Sequence, residues 1–224
     1  MTTLDYYNSN AELFICDTKD VKFSDIQKEF ASYLPPCSDI LDLGCGSGRD
    51  SMTFMKMGYN VTPADGSEKL CEITSEYLGI PVKHMLFQEL DEQGSYDGVW
   101  ACASILHLKH SELPDVIDRI IKSLKQGGVF YASFKYGDFE GMRNGRYFID
   151  MTEDKLQRIL QETDVFQIKE KWISSDVRPG RDDEKWMNLN KELVARKIWI
   201  TGDVRAGREN EKWFNVIAVK NKRD

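Results

Sequence analysis

The amino-acid sequence predicts an α/β fold with a doubly wound, mostly parallel sheet. Three observations carry that prediction. Residues 40–51 read Ile-Leu-Asp-Leu-Gly-Cys-Gly-Ser-Gly-Arg-Asp-Ser, a short apolar run followed by glycines on alternate positions. Apolar periodicity then resumes with Met52, Phe54, Met55 and Met57. From there to Phe134, strand patterns alternate with helix patterns, as right-handed βαβ crossovers require.

The elements follow in order. Residues 5–17 read as a short helix or lid carrying Tyr6 and Tyr7. Residues 24–34 are amphipathic, with Ile26, Phe30, Tyr33 and Leu34 on one side, and Pro35-Pro36 ends them. A strand over 40–43, a helix over 49–57, a strand over 60–64 and a helix over 67–78 come next. Further strands are expected at 81–85, 97–102 and 128–134, with a helix over 112–124. The segment 135–146 is rich in glycine and charge and reads as a mobile loop. Thr152 is placed to cap a helix continuing through Leu156, Ile159 and Leu160.

The tail is duplicated. Residues 172–189 recur at 199–216 with eleven of eighteen positions identical. Two copies are too few for a solenoid, so the unit reads as a repeated strand–loop–strand. Trp186, Leu189, Leu193 and Val194 follow a helical period, which makes the second half of the first copy a helix. The alternative is an added hairpin or an edge strand through which two copies of the chain pair as a homodimer.

Composition narrows the function. The 224 residues, with 41% hydrophobic and 30% charged content, fit one soluble domain. A net charge of −7 argues against a general nucleic-acid binder. No apolar run approaches the roughly 20 residues that span a bilayer, and no secretory leader is visible. Five scattered cysteines (16, 37, 45, 71 and 102) show neither metal spacing nor a paired framework, which fits the reducing cytoplasm and no metal.

The glycine turn is the place to look for chemistry. Glycines let the chain turn sharply and let a ligand lie against the main chain. A dinucleotide fingerprint wants its third glycine three residues after the second; here that position is Arg49, which disfavours a nicotinamide-dependent oxidoreductase. A phosphate-binding Gly-Lys-Ser/Thr is absent. Asp42 ends the first strand. Asp65, before Gly66, follows the turn by about twenty residues, the distance at which such folds place a carboxylate for ribose hydroxyls. As a plain structural residue, Asp65 would shape the turn or cap the following helix.

The run of acidic-x-Gly-x-Gly-x-Gly resembles the first motif of class I S-adenosylmethionine-dependent methyltransferases. Residues 96–107 are similar to that family's fourth strand and its exit. Residues 124–134 are similar to its turn into the fifth strand, with Gln126 where proline is usual. The likeness extends from about Tyr6 to the C-terminus, and lies nearest to small-molecule, tellurite-resistance-type members, whose turn also continues Gly-Arg-polar-Ser.

The resemblance implies a Rossmann-like sheet of seven strands, the C-terminal one antiparallel, in a single domain. Residues 1–37 would form an N-terminal helical lid, 38–134 the cofactor-binding core and 135–224 a substrate-side region. It implies S-adenosyl-L-methionine as cofactor, with Asp42, Gly44, Cys45, Gly46, Asp65, Gly66, Phe87 and Ala101 around it, and a small molecule as methyl acceptor. Leu86 falls where the family often has an acidic residue for the adenine amino group, a bond leucine cannot make.

For chemistry, His107 is the candidate base, or else a ring that caps a helix or bonds a carbonyl. Tyr7 closes over the cofactor or packs its helix. Lys135, Tyr136, Arg146 and Tyr147, with Arg178 and Arg181 of the repeat, point to an anionic acceptor. Against this, the repeat's arginines are equally suited to solvated turns paired with Asp176, Glu184, Asp203 and Glu211. A competing function is a cofactor-binding module without turnover, associating through its duplicated tail.

Overall fold

The computed structural model describes residues 2–161, 166–167, 190–191, 193–202 and 212–220. Helices α1 (Thr3–Ser9), α2 (Ala11–Thr18) and α3 (Ser24–Ala31) lead into β1 (Asp39–Leu43), α4 (Arg49–Lys56), β2 (Asn60–Asp65), α5 (Glu68–Leu78), β3 (Lys83–His84) and β4 (Tyr96–Ala101). Then come α6 (Leu113–Ser123), β5 (Leu124–Lys135), β6 (Glu140–Arg143), β7 (Arg146–Ile149) and α7 (Glu153–Gln161). The described tail holds β8 (Phe166–Gln167), β9 (Asn190–Lys191), β10 (Leu193–Gly202) and β11 (Lys212–Lys220).

Seven strands form one sheet in the order β10-β11-β5-β4-β1-β2-β3. Strands β1 to β5 are parallel, while β11 runs antiparallel to both of its neighbours. The expected doubly wound sheet with an antiparallel C-terminal strand is therefore observed. Period-two alternation builds a core on each face. Leu41, Leu43, Val99, Ala101, Phe130, Ala132 and Phe134 face one side, under α6 and α7. Ile40, Trp100, Val129 and Tyr131 face the other, against Phe30 and Phe54. Trp100 and Tyr131 stack there with ring centroids 3.9 Å apart.

Local chemistry sets the helix ends. Thr2 and Asp5 make a capping box for α1, with Asp5 N donating to Thr2 Oγ1 at 3.1 Å and Thr2 N to Asp5 Oδ2 at 2.7 Å. Ser67 caps α5 by accepting from Leu70 N, and Gly79 closes that helix in the left-handed region at φ 69°. As expected, Thr152 Oγ1 accepts from Lys155 N at the start of α7.

Two expectations are corrected. Residues 135–146 are not one irregular loop: they continue β5 and then enter an antiparallel hairpin, β6 with β7. Its turn is Asn144-Gly145, with φ of 51° and 79°. Positive φ at both central residues is the turn that matches strand twist, and Asn-Gly is its strongest sequence signal. The helix reading of Leu193 and Val194 also fails, because both lie in β10, paired to β11 from Leu193 to Gly202. The outer edge of β11 needs a ladder partner, and that requirement overrides a short helical period. The second repeat copy thus supplies the end of β10 and most of β11. The first copy, with Trp186, Leu189, Arg178 and Arg181, lies outside the described residues, as do Asp176, Glu184, Asp203, Glu211, Arg205 and Arg208.

Candidate functional site

A cavity of about 720 Å³ opens at the carboxyl ends of β1, β2, β4 and β5. Ligand sites in open α/β sheets occupy this position. At one end lie the glycine turn, Asp65, Gly66, Leu86 and Phe87; at the other lie Tyr7, His107, Lys135, Arg146 and Trp213.

The turn is held from three sides. Gly44 N and Cys45 N both donate to Ala64 O at the end of β2, at 2.8 and 2.9 Å. Thr74 Oγ1 on α5 donates to Gly46 O at 2.7 Å. Ser104 Oγ donates to Leu43 O at 2.6 Å, tying the exit of β4 to the end of β1. Gly44 stands at φ +83°, and a Cβ there would come within 2.4 Å of Ser104 Cβ. Glycine is required at that position on both counts.

Asp65 leaves β2 pointing at this turn. Its Oδ2 accepts from Gly46 N at 2.9 Å and its Oδ1 from Ser67 N at 2.8 Å. Burial raises its pKa, while those N–H groups oppose the rise. Each oxygen keeps further acceptor capacity, so the carboxylate suits a vicinal diol.

Asp42, Ala101 and Tyr136 do not line the cavity. Strand alternation is the reason. It turns Asp42 toward α4, where its buried carboxyl accepts from Ser51 Oγ at 2.5 Å. Burial first, then the charge of Asp50, raise the pKa of Asp42. Asp50 itself is held down by Arg49, which overcomes the effect of burial. Alternation likewise puts the Ala101 methyl into the core and turns Tyr136, next to Lys135, outward. Cys45 does line the cavity, and its thiol stays protonated because burial pushes its pKa up.

At the far end the hydrogen bonds fix proton positions. His107 Nδ1 lies 2.6 Å from Tyr147 O. A carbonyl only accepts, so Nδ1 carries the proton and Nε2 is an acceptor. Tyr7 Oη, 2.9 Å from Nε2, therefore donates to it. Burial lowers the pKa of His107 to about 4, so the ring is neutral. The carbonyl bond foreseen for His107 is present, and its other nitrogen faces a phenol. Arg146 Nη1 donates to Tyr7 Oη at 3.3 Å, and its guanidinium lies 4.7 Å from the Tyr6 ring centre. Lys135 Nζ lies 5.4 Å from the Trp213 ring centre.

Some residues in and around the site were not anticipated. Phe14 of α2 packs over Gly46, close enough that a Cβ there would meet its ring at 2.9 Å. Asn8 Oδ1 accepts from Ser67 Oγ at 2.7 Å, fastening α1 to α5. Trp213 and Asn215 reach the cavity from β11. The repeat flagged that segment, but only pairing with β5 brings it to the site. Ala103, at φ +51°, is a strained non-glycine residue beside the turn, with its N–H on Ser133 Oγ.

Fold and site together define an α/β protein with one cavity across its parallel strand ends. Residues 40–128 match the family described as a methyltransferase domain. A curated relative, a probable S-adenosyl-L-methionine-dependent methyltransferase, TehB of Haemophilus influenzae, is 28% identical over 103 residues, 44% of this chain and 36% of that protein. The chain thus aligns with about a third of the length of the curated relatives it matches.

Among solved structures, the Burkholderia thailandensis 1,6-didemethyltoxoflavin-N1-methyltransferase, with 1,6-didemethyltoxoflavin and S-adenosylhomocysteine bound, is similar at TM-score 0.64. Identity is 17%, covering 98% of this chain and 85% of that one. The [4+2]-cyclase SpnF is similar at TM-score 0.64 and 13% identity, covering 99% and 97%. At such identities the likeness establishes the fold. Among the described residues no helix is long and apolar enough to cross a membrane, and no cluster of His, Cys, Asp and Glu could hold a metal.

Proposed function

We propose that the chain is an S-adenosylmethionine-dependent methyltransferase whose acceptor is a small, anionic molecule. One observation carries the reading: a single cavity joins the glycine turn and Asp65 to Tyr7, His107, Lys135 and Arg146. The residues fit the cofactor. Gly44 and Gly46 bare the backbone for its amino-acid part, Asp65 takes the ribose hydroxyls, and Leu86 and Phe87 form an apolar wall for the base. When bound, S-adenosylmethionine supplies an activated methyl group on a sulfonium, open to in-line displacement by the acceptor.

The chain's own work is then positional. Holding the partners aligned can contribute about 7–11 kcal/mol, more than the ~10²–10⁴-fold of a general base. Helices α1 and α2 line the site through Thr3, Leu4, Tyr7 and Phe14. Tyr7 Oη, its proton committed to Nε2 of His107, presents lone pairs to a group that must shed a proton. In this reading His107 acts through Tyr7, and the Tyr147 carbonyl keeps the ring in register. The free state of all five cysteines supports a reducing compartment such as the cytoplasm.

Calorimetry with S-adenosylhomocysteine tests the reading. Binding is expected, with Asp65→Ala weakening it by about 10–100-fold, the worth of one or two charged hydrogen bonds. Absence of binding, or an unchanged affinity in the variant, overturns it. A second reading keeps the cofactor and drops the transfer. It draws on β10, the outermost strand of the sheet among the described residues, and on the cyclase that shares the fold. Cofactor binding without transfer to any of a broad acceptor set, in a dimer lost on deleting the tail, would favour it.

A further inference from the structure

We propose that the acceptor end of the cavity is built for a flat aromatic carboxylate, with Arg146 as its anchor. This rests on reading the cavity as a methyl-acceptor site, and it names the substrate class.

The argument begins with an unmatched charge. Arg49, Arg119 and Arg143 each pair with a carboxylate: Asp50, Asp115 and Asp150. Arg146 has no such partner among the described residues. Its Nη1 donates to a phenol, and its Nε is buried with no acceptor. The cavity's own carboxylates are committed elsewhere. Asp65 serves Gly46 N and Ser67 N, Asp50 serves Arg49, and Glu112 accepts from Lys109 N. The side chain is half-buried with its Nε unpartnered, and an entering oxyanion would supply both an acceptor and a counter-charge.

The surroundings select the anion's shape. The guanidinium lies between rings, 4.7 Å from the Tyr6 centre and 5.2 Å from the Phe148 centre. Lys135 Nζ, the second cation lining this end, lies 6.0 Å from the Phe148 centre. Tyr147 and Trp213 continue the wall. Such walls favour a flat conjugated ring by stacking. A planar carboxylate matches the guanidinium fork.

The test uses benzoate, its neutral isostere benzamide, and cyclohexanecarboxylate, titrated by calorimetry into the full chain alone and saturated with S-adenosylhomocysteine. Benzoate is expected to bind at least about tenfold tighter than benzamide and roughly threefold tighter than cyclohexanecarboxylate. Arg146→Met should erase the benzoate–benzamide difference. Equal binding of benzoate and benzamide overturns the proposal, and so does a preference that survives in folded Arg146→Met. Preference for the saturated ring overturns the aromatic part. If Arg146→Met fails to fold, the contrast in the parent chain still decides the matter, with Lys135→Met expected to narrow it. Should the benzoate preference hold while S-adenosylhomocysteine fails to bind, the methyltransferase reading falls and the anion site stands. The reverse result sinks only the anion site.

Discussion

His107 is kept neutral by its burial, and this has a measurable consequence. Its pKa is about 4 in the folded chain, against roughly 6.5 unfolded. Between those values the unfolded chain binds a proton that the folded chain refuses. The stability tied to this ring is intact above about pH 6.5 and is lost as pH falls toward 4, by roughly 3 kcal/mol in all. Urea titrations at about pH 7 and pH 4.5 should show the loss, and His107→Gln should show a shallower one than the parent chain. Equal pH slopes would contradict the neutral ring. His107 was legible from its place after the fourth strand. Its partners were not: Tyr7 lies 100 positions away and Arg146 lies 139 from Tyr7, and no local pattern encodes either meeting.

The glycine turn and the β6–β7 hairpin both depend on backbone that only a few residues tolerate. Gly44→Ala would force a Cβ into Ser104 at a positive φ. A loss of about 2–4 kcal/mol is expected, from left-handed strain and overpacking together, read as a lower denaturation midpoint. Gly145→Val attacks the hairpin turn, where φ is 79°. It should cost about 1–3 kcal/mol and shift Tyr147, whose carbonyl orients His107. The His107 titration followed by NMR should then move down from about 4, because the Tyr147 hydrogen bond that raises it is weakened; an unmoved titration would mean that the hairpin does not position the ring. The Asn144-Gly145 signal stood in the sequence. The glycine and charge around it read as a loop because the two flanking strands are only four residues each, too short to show a clear alternation.

Across the molecule, β11 is the member on which the others depend. It lies between β10 and β5 and buries Phe214, Val216, Ile217 and Ala218. Ile217→Ala should cost about 2–5 kcal/mol. Ending the chain before Lys212 should abolish cooperative unfolding, since β5 loses one of its two ladder partners; a truncated chain that still unfolds cooperatively would show the strand to be dispensable. The helical reading failed at Leu193 and Val194 because ladder pairing outweighs local periodicity in a sheet.

By itself the sequence determined the strand–helix alternation, the glycine turn and the carboxylate after it, because each is a local or periodic pattern imposed by backbone geometry. Only the tertiary structure decided that Asp42 faces α4, that the second repeat copy supplies the end of β10 and most of β11, and that Tyr7, His107 and Arg146 converge. Those outcomes rest on strand pairing and burial between distant segments, and their energies exist only once the chain has folded.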